Sequence, residues 1–339
     1  MATAINGFGR IGRTALRVML ERGMESQLVA VNDLTDAVTL AHLLKYDTNY
    51  GVLAAEVGGE NKPMSKHGTG SVGTLTVNGH QIAVFAEKDP SHLPWKELEI
   101  DTVIESTGHF TDAKGAKLHL DAGAKRVVIS APAKDGTVKT IVLGVNGESK
   151  DANEAIISNA SCTTNCVAPV AQIMVAEFGV KKALMTTIHA YTQDQNLQDG
   201  PHKDLRRARS AAANIVPTST GAAIAATEVI PELKGLFDGV AIRVPVPVGS
   251  LSDFTFLLKK RVTVKEVNAI LSEAANSSRY KGILAVTDEP IVSSDIIGDP
   301  HSSIVDLSLT QVVDGDLVKV FAWYDNEYGY CNRLIDQLS

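Results

Sequence analysis

The stretch Ser158–Pro169, SNASCTTNCVAP, sets Cys162 among small hydroxyl and amide side chains, just ahead of the apolar run VAPVAQIMVAEF. A thiol at a helix start meets the dipole's positive end and free N–H groups, which favour the thiolate. Cys162 is therefore expected to have a lowered pKa, and to act as a nucleophile if a base stands near it. Among nine histidines the best placed is His189, in MTTIHAYT, at the end of a strand-like run. Spacing alone leaves three readings of Cys162 open: a nucleophile, half of a metal or redox pair, or a small core residue. Cys166 follows as C-x3-C, which matches neither the C-x-x-C of redox motifs nor a four-ligand zinc pattern. It reads as a small buried helix residue, and Cys331 as structural; no metal site is expected.

A second constellation lies at the other end of the chain. NGFGRIG contains G-x-G-x-x-G as Gly7, Gly9 and Gly12, after a short strand and at the opening of a helix pattern. Asp33 ends the next strand pattern, 21 residues after Gly12. This is the context a dinucleotide fingerprint needs. Gly7 makes the tight turn, Gly9 lets the backbone approach a pyrophosphate, and Gly12 allows close helix–strand packing. A carboxylate at Asp33 accepts from both ribose hydroxyls of NAD and repels the 2′-phosphate of NADP. A hydride acceptor is thus expected beside a thiol.

The elements that must position these residues fall into two patterns. In the first half, strand-like runs at 3–6, 27–33, 101–107, 125–131, 140–145 and 155–158 alternate with helical spacing such as 10–22. Continuous Val/Ile runs between helices indicate an α/β, doubly wound parallel sheet of the Rossmann type. The glycine-rich, polar stretch 58–73 reads as a loop. After Cys162, long strand-like runs dominate, with helices at 165–178 and 263–276 between them. VVDGDLVKV reads as two strands joined by an Asp-Gly turn. That is a second, α+β domain on a mostly antiparallel sheet.

The chain has 339 residues, 44% hydrophobic and 21% charged, which suits two soluble domains with their own cores. A net charge of −7 argues against a nucleic-acid or anionic-membrane binder, so any anion must be held by local features. No run approaches the roughly 18 apolar residues of a membrane span. Three cysteines without a signal-peptide pattern suggest reduced thiols and a cytoplasmic protein.

NGFGRIGR, SNASCTTNC, HAYT, STGAA, RVPVP and WYDNEYGY occur together and in order. On these motifs the chain closely resembles phosphorylating glyceraldehyde-3-phosphate dehydrogenase along essentially its whole length. The resemblance implies Cys162 as nucleophile and His189 as its base. Thiolate addition to the aldehyde, hydride transfer to NAD and attack of inorganic phosphate on the thioester would follow. Thr192 and Arg243 match the family's site for the substrate phosphate. Ser161, Thr163, Thr220 and Gly221 match its site for inorganic phosphate, and Arg207 an arginine reaching between the two. For NAD, Asn6, Gly7, Gly9, Arg10, Ile11 and Gly12 form the pyrophosphate turn. Lys88, Thr107 and Ser130 match positions lining the adenosine and ribose. Asn326 would hold the nicotinamide carboxamide, with Tyr330 near the ring. The resemblance further implies an NAD-binding domain of 1–159 plus 325–339, a catalytic domain of 160–324, and a homotetramer in which HKDLRRAR (202–209) lies at a subunit interface. A rival within the fold oxidises erythrose 4-phosphate and uses water in the second half-reaction. A rival of another class is a binding protein on an inactive scaffold.

Overall fold

The structure is a computed structural model and describes residues 1–64, 70–147 and 154–338. These fall into two compact units. One lies within Met1–Ile141, Ser149–Ala160 and Cys331–Ser339, the other within Val142–Glu148 and Ser161–Tyr330. Residues 142–147 and 325–330 therefore pack with the second unit, whereas the sequence-based division grouped them with the first.

In the first unit the chain runs through β1 (Thr3–Asn6), α1 (Arg10–Glu21), β2 (Leu28–Asn32), α2 (Ala37–Lys45) and a small hairpin, β3 (Tyr46–Asp47) with β4 (Gly51–Val52). It continues through β5 (Val57–Glu60), β6 (Gly73–Val77), β7 (His80–Phe85), β8 (Thr102–Glu105), α3 (Ala113–Asp121), β9 (Arg126–Ile129), β10 (Lys139–Thr140) and β11 (Ile156–Ser158). The strands order as β10-β11-β9-β8-β1-β2-β7-β6-β5. Pairing is parallel from β10 to β7, and β5–β6–β7 is antiparallel. Strand order reverses between β1 and β8, the switch point at which doubly wound sheets bind ligands. The core strands are buried throughout, as parallel strands covered on both faces must be: β1 and β8 expose no residue.

Two expectations fail here, each for a physical reason. Of 140–145, only Thr140 is in a strand. Asn146 accepts the Val142 N–H through its side chain at 2.7 Å, and the Val145 N–H closes on the Val142 carbonyl at 3.1 Å, so the apolar run turns instead. Residues 58–60 and 73 are strand, not loop. A Cβ at Gly59 would stand 2.4 Å from the Ala37 carbonyl oxygen, so this glycine marks the close approach of β5 to α2 rather than a turn. Residues 65–69 of the same stretch lie outside the described residues.

The second unit contains α4 (Cys162–Phe178), β12 (Val180–Ala190), β13 (Val216–Ser219), α5 (Ala222–Val229), β14 (Phe237–Val244), β15 (Ser250–Leu258), α6 (Val264–Ala275), β16 (Leu284–Thr287), β17 (Ser303–Asp306), β18 (Gln311–Val313) and β19 (Leu317–Tyr324). Its sheet orders as β13-β14-β12-β15-β19-β17-β16, with β18 on β19. Among the described residues two pairings, β12–β14 and β16–β17, are parallel and the rest antiparallel. The Asp-Gly turn joins β18 to β19, with Asp314 and Gly315 both at positive φ. Ahead of that hairpin a short 3-10 turn at Leu307–Leu309 separates β17 from β18, where the Asp306 carboxylate takes the Ser308 N–H. Helix α4 packs on one sheet face and against α5 and α6. A last helix, α7 (Tyr328–Asp336), follows β19. From Cys331 onward it belongs to the first unit: Arg22 reaches Asn332 and Asp336 at 2.6 Å each, and Arg126 donates to the Gln337 carbonyl at 2.6 Å.

Candidate active site

In the first unit, the turn after β1 is shaped by contacts that exclude side chains. Gly7 has φ 91°, and a Cβ there would lie 2.6 Å from the Thr107 nitrogen. A Cβ at Gly12 would lie 2.3 Å from the Gly7 carbonyl oxygen. Gly9 is different: as N-cap of α1 it brings no side chain, and a Cβ built on it meets nothing within 4 Å. That open face at a helix N-terminus fits a pyrophosphate. Asp33, just past β2, takes the Phe8 N–H on Oδ2 at 2.7 Å; Oδ1 takes no donor among the described residues. One carboxylate oxygen thus fixes the turn while the other stays open. Arg10 is paired with Asp47 and lies over the Tyr50 ring at 5.7 Å, so its charge is already engaged. Lys88 follows β7 and is exposed, Thr107 follows β8 and Ser130 follows β9, so all sit on the carboxyl edge with Asp33 and Gly7. Ile11 lies in the first turn of α1.

In the second unit, Cys162 is the first residue of α4 and Ser161 its N-cap. Ser161 Oγ accepts the Thr164 N–H at 3.0 Å and lies 2.8 Å from Thr164 Oγ1. The helix therefore begins earlier than its apolar periodicity suggested. Cys162 Sγ is 3.4 Å from His189 Nε2. On the other side of the ring, His189 Nδ1 is 2.7 Å from the Ala190 carbonyl and 3.0 Å from Arg243 Nη1. Sheet register explains the second contact. His189 on β12 is the direct partner of Arg243 on parallel β14. Arg243 Nη1 also donates to the Ala190 carbonyl at 3.1 Å and to Thr192 Oγ1 at 3.4 Å.

Electrostatics departs from the expectation for the thiol. Burial pushes the Cys162 thiol up, against the Arg243 charge and the first-turn N–H groups, which pull it down. Burial first, and Arg243 second, push His189 down to about 3. The resting pair is thus thiol and neutral imidazole. The Ala190 carbonyl at 2.7 Å takes a proton on Nδ1, which leaves Arg243 Nη1 at 3.0 Å as a close charge contact without a hydrogen bond to the ring, and the ring then presents the Nε2 lone pair to the thiol.

Arg243 is the most informative cation. Its Nε is buried without a partner, and no carboxylate lies within 4.0 Å of it among the described residues. Arg207 stands close enough that its charge opposes those of Arg243 and His189. It is tied to Asp194 and also donates to Thr218 Oγ1 at 3.0 Å and the Ser219 carbonyl at 3.2 Å. Arg243, beside the thiol and without a carboxylate partner, is the cation whose surroundings suit an anion. Thr220 Oγ1 takes the Ala222 N–H at 3.2 Å and Gly221 is the N-cap of α5, so both stand at a helix N-terminus. Thr163 turns its hydroxyl to Tyr324 Oη at 2.9 Å rather than outward. Asn326 Oδ1 accepts from the Gly249 N–H and Ser250 Oγ at 3.1 and 2.9 Å. Tyr330 is buried.

Sequence reasoning missed Tyr324 and Thr187. Tyr324 Oη also bonds Thr187 Oγ1 at 2.8 Å, and its ring meets His189 edge-on with centroids 6.0 Å apart. A signal existed: Thr187 is two residues before His189 on a strand, hence on the same face.

Residues 161–326 match the model described as glyceraldehyde 3-phosphate dehydrogenase, C-terminal domain, and residues 1–113 the one described as its NAD binding domain. The chain is 57% identical over 337 residues to glyceraldehyde-3-phosphate dehydrogenase of Mycobacterium tuberculosis, covering 98% of this chain and 96% of the relative. It is 55% identical over 333 residues to that of Streptomyces coelicolor, with the same coverage. The chain belongs to the glyceraldehyde-3-phosphate dehydrogenase family. NAD is the cofactor. The glyceraldehyde-3-phosphate dehydrogenase fold accounts for both sheets, the parallel one as NAD-binding and the mostly antiparallel one as catalytic.

Proposed function

We propose that this chain carries out the NAD-dependent oxidative phosphorylation of glyceraldehyde 3-phosphate to 1,3-bisphosphoglycerate through a thioester on Cys162. The observation that carries the reading is the Cys162–His189–Arg243 array, at 3.4 and 3.0 Å, on a member of this family. His189 takes the thiol proton as sulfur adds to the aldehyde carbon. The Cys162 N–H, at the head of α4, is proposed as a donor to the developing oxyanion. NAD, when bound, supplies the hydride acceptor. His189 returns that first proton to the oxyanion, giving the hemithioacetal hydroxyl, and takes it up again as the carbon is oxidised to the thioester. Inorganic phosphate then displaces the thiolate, giving the acyl phosphate and returning Cys162. The buried, uncompensated Arg243 with Thr192 supports binding of the substrate's own phosphate. Thr220, Gly221, Ser161 and Thr163 are proposed for inorganic phosphate. Ser161 Oγ can donate there when Thr164 Oγ1 donates to it, and Thr163 Oγ1 when Tyr324 Oη donates to it. Asn326 is proposed to hold the nicotinamide carboxamide.

A homotetramer is proposed as well. The sheet face of the second unit away from α4 carries exposed Leu184 and Val240 on neighbouring strands, the kind of surface a second copy covers. No helix among the described residues is long and apolar enough to cross a membrane. Cys162, Cys166 and Cys331 are all free thiols, which supports the cytoplasm as the place of action.

Formation of NADH from glyceraldehyde 3-phosphate, with and without inorganic phosphate, tests the reading. Turnover is expected only with phosphate. A phosphate-independent rate with erythrose 4-phosphate would overturn it in favour of a hydrolytic relative, and no NADH at all in favour of a binding protein.

A further inference from the structure

The first unit holds a closed acid–base pair that thioester chemistry does not use. The side chains of Glu105 and His119 are 0% exposed. Glu105 ends β8, and its two oxygens take four donors. Oε2 accepts from Asn6 Nδ2 at 2.6 Å and lies 3.0 Å from His119 Nε2. Oε1 accepts from the Thr107 N–H at 2.8 Å and also from Thr107 Oγ1. Asn6 Oδ1 accepts in turn from Asn32 Nδ2 at 2.7 Å.

The tautomer of His119 follows by elimination. Trp95 Nε1 lies 3.0 Å from His119 Nδ1, and an indole nitrogen only donates. His119 Nδ1 must therefore accept. A neutral imidazole then carries its proton on Nε2, aimed at Glu105 Oε2. Asn6 Nδ2, 3.4 Å from that same Nε2, is a second donor converging on the oxygen rather than a partner of the ring. These four contacts engage both oxygens of Glu105, and Thr107 Oγ1 is the one partner among them able either to donate or to accept. It is held by hydrogen bonds, with no lysine or arginine within 4.0 Å among the described residues.

A buried acidic side chain is a costly way to fill space, and an apolar contact would pack as well. Its donors show what it does instead. Asn6 immediately precedes the Gly7 turn, and Thr107 stands where Gly7 comes closest to another strand. Ser106 between them donates from Oγ to the Gly7 carbonyl at 2.7 Å, and its N–H reaches the Asn6 carbonyl at 2.8 Å. One carboxyl group therefore ties together both sides of the switch point.

We infer that Glu105, oriented by His119 and Trp95, is a positioning residue that sets the Asn6–Gly7 and Ser106–Thr107 backbones against each other, so that the dinucleotide turn is already shaped when NAD arrives. The inference rests on NAD binding at this turn. An amide at position 105 presents donors to donors and loosens both sides, while the thiol and its base in the second unit keep their own contacts.

The test uses the full chain with Glu105→Gln and, as a milder variant should that one not fold, Trp95→Phe. The dissociation constant for NAD is measured by calorimetry without substrate, alongside KM for NAD, kcat at saturating NAD, and the alkylation rate of Cys162. The expected result is a rise in Kd and KM for NAD on the order of tenfold, the weight of one or two hydrogen bonds. Saturated kcat and the alkylation rate should stay within about twofold, a split that general loosening of the fold would not produce. Nitrogen NMR of the wild-type imidazoles should show His119 as the Nε2–H tautomer. An unchanged Kd in the folded variants, or an Nδ1–H tautomer, overturns the inference. A wild-type chain that binds no NAD removes the reading of the turn itself, and this inference with it.

Discussion

At the residue scale the unexpected finding is that Cys162 and His189 rest as a neutral pair. A helix N-terminus and Arg243 both favour the thiolate, yet burial of the sulfur outweighs them. The imidazole is neutral for two concurrent reasons, burial and the guanidinium at 3.0 Å. Its Nε2 is thus available to take a proton at neutral pH, and the thiolate forms as sulfur attacks. Replacing the ring by His189→Asn is expected to slow alkylation of Cys162 at pH 7 by about 10- to 100-fold. An unchanged rate would show that His189 does not activate the thiol. The same ring predicts a stability effect with a definite sign. Its folded pKa, about 3, lies below the ordinary 6.5. The unfolded chain therefore binds a proton in that window which the folded chain refuses. The contribution is present above pH 6.5 and is lost as pH falls toward 3. Midpoint temperatures across that range should fall less steeply for His189→Asn than for the native protein, and parallel curves would refute the assignment.

At the scale of elements, the functional groups are placed by helix starts and by sheet register, and only the first is local in sequence. The turn Gly7–Gly12 was legible because its spacing is itself the signal. Cys162 was legible as a candidate for the same reason. The Arg243–His189 contact was not. It spans 54 positions and depends on a parallel pairing of β12 with β14 that periodicity cannot specify. Glu105 lies 99 positions from Asn6 and appears in sequence as an unremarkable strand end. The run 140–145 shows the opposite failure: strong β propensity, overridden by one asparagine side chain. At the start of α4 two roles meet on one hydroxyl. Ser161 Oγ caps the helix at Thr164 N while the resemblance assigns it to phosphate. Ala160 before it is held at φ 56°, a left-handed conformation that non-glycine residues adopt at a cost of about 1–2 kcal/mol. The cap steadies the turn that carries Cys162. Ser161→Ala is expected to cost about 1 kcal/mol in chemical denaturation and to raise KM for phosphate more than KM for the aldehyde. A loss of stability with an unchanged phosphate KM would leave Ser161 as a cap alone.

At the scale of the whole molecule, the proposed tetramer turns on what the second unit leaves uncovered. Helices α4 and α5 cover one face of its sheet. On the other face Leu184 and Val240 are 64% and 52% exposed, on strands that pair directly. An exposed apolar surface of this kind gains nothing from contact with water, and a second copy of the same surface is its simplest partner. In a two-fold interface each substitution occurs twice. A carboxylate at Val240 would bring two like charges to a dehydrated contact, at a cost on the order of 3–5 kcal/mol for each unpaired charge. The native protein is expected to sediment as four chains at micromolar concentration. Val240→Glu should shift it to smaller species and weaken association by at least about a hundredfold. The Cys162–His189 contact lies wholly within one chain. The dissociated variant should therefore keep a thiol that alkylates at the native rate, even where it turns over poorly. A native protein that sediments as a single chain would refute the tetramer. A Val240→Glu protein that remains four chains would place the interface on another face.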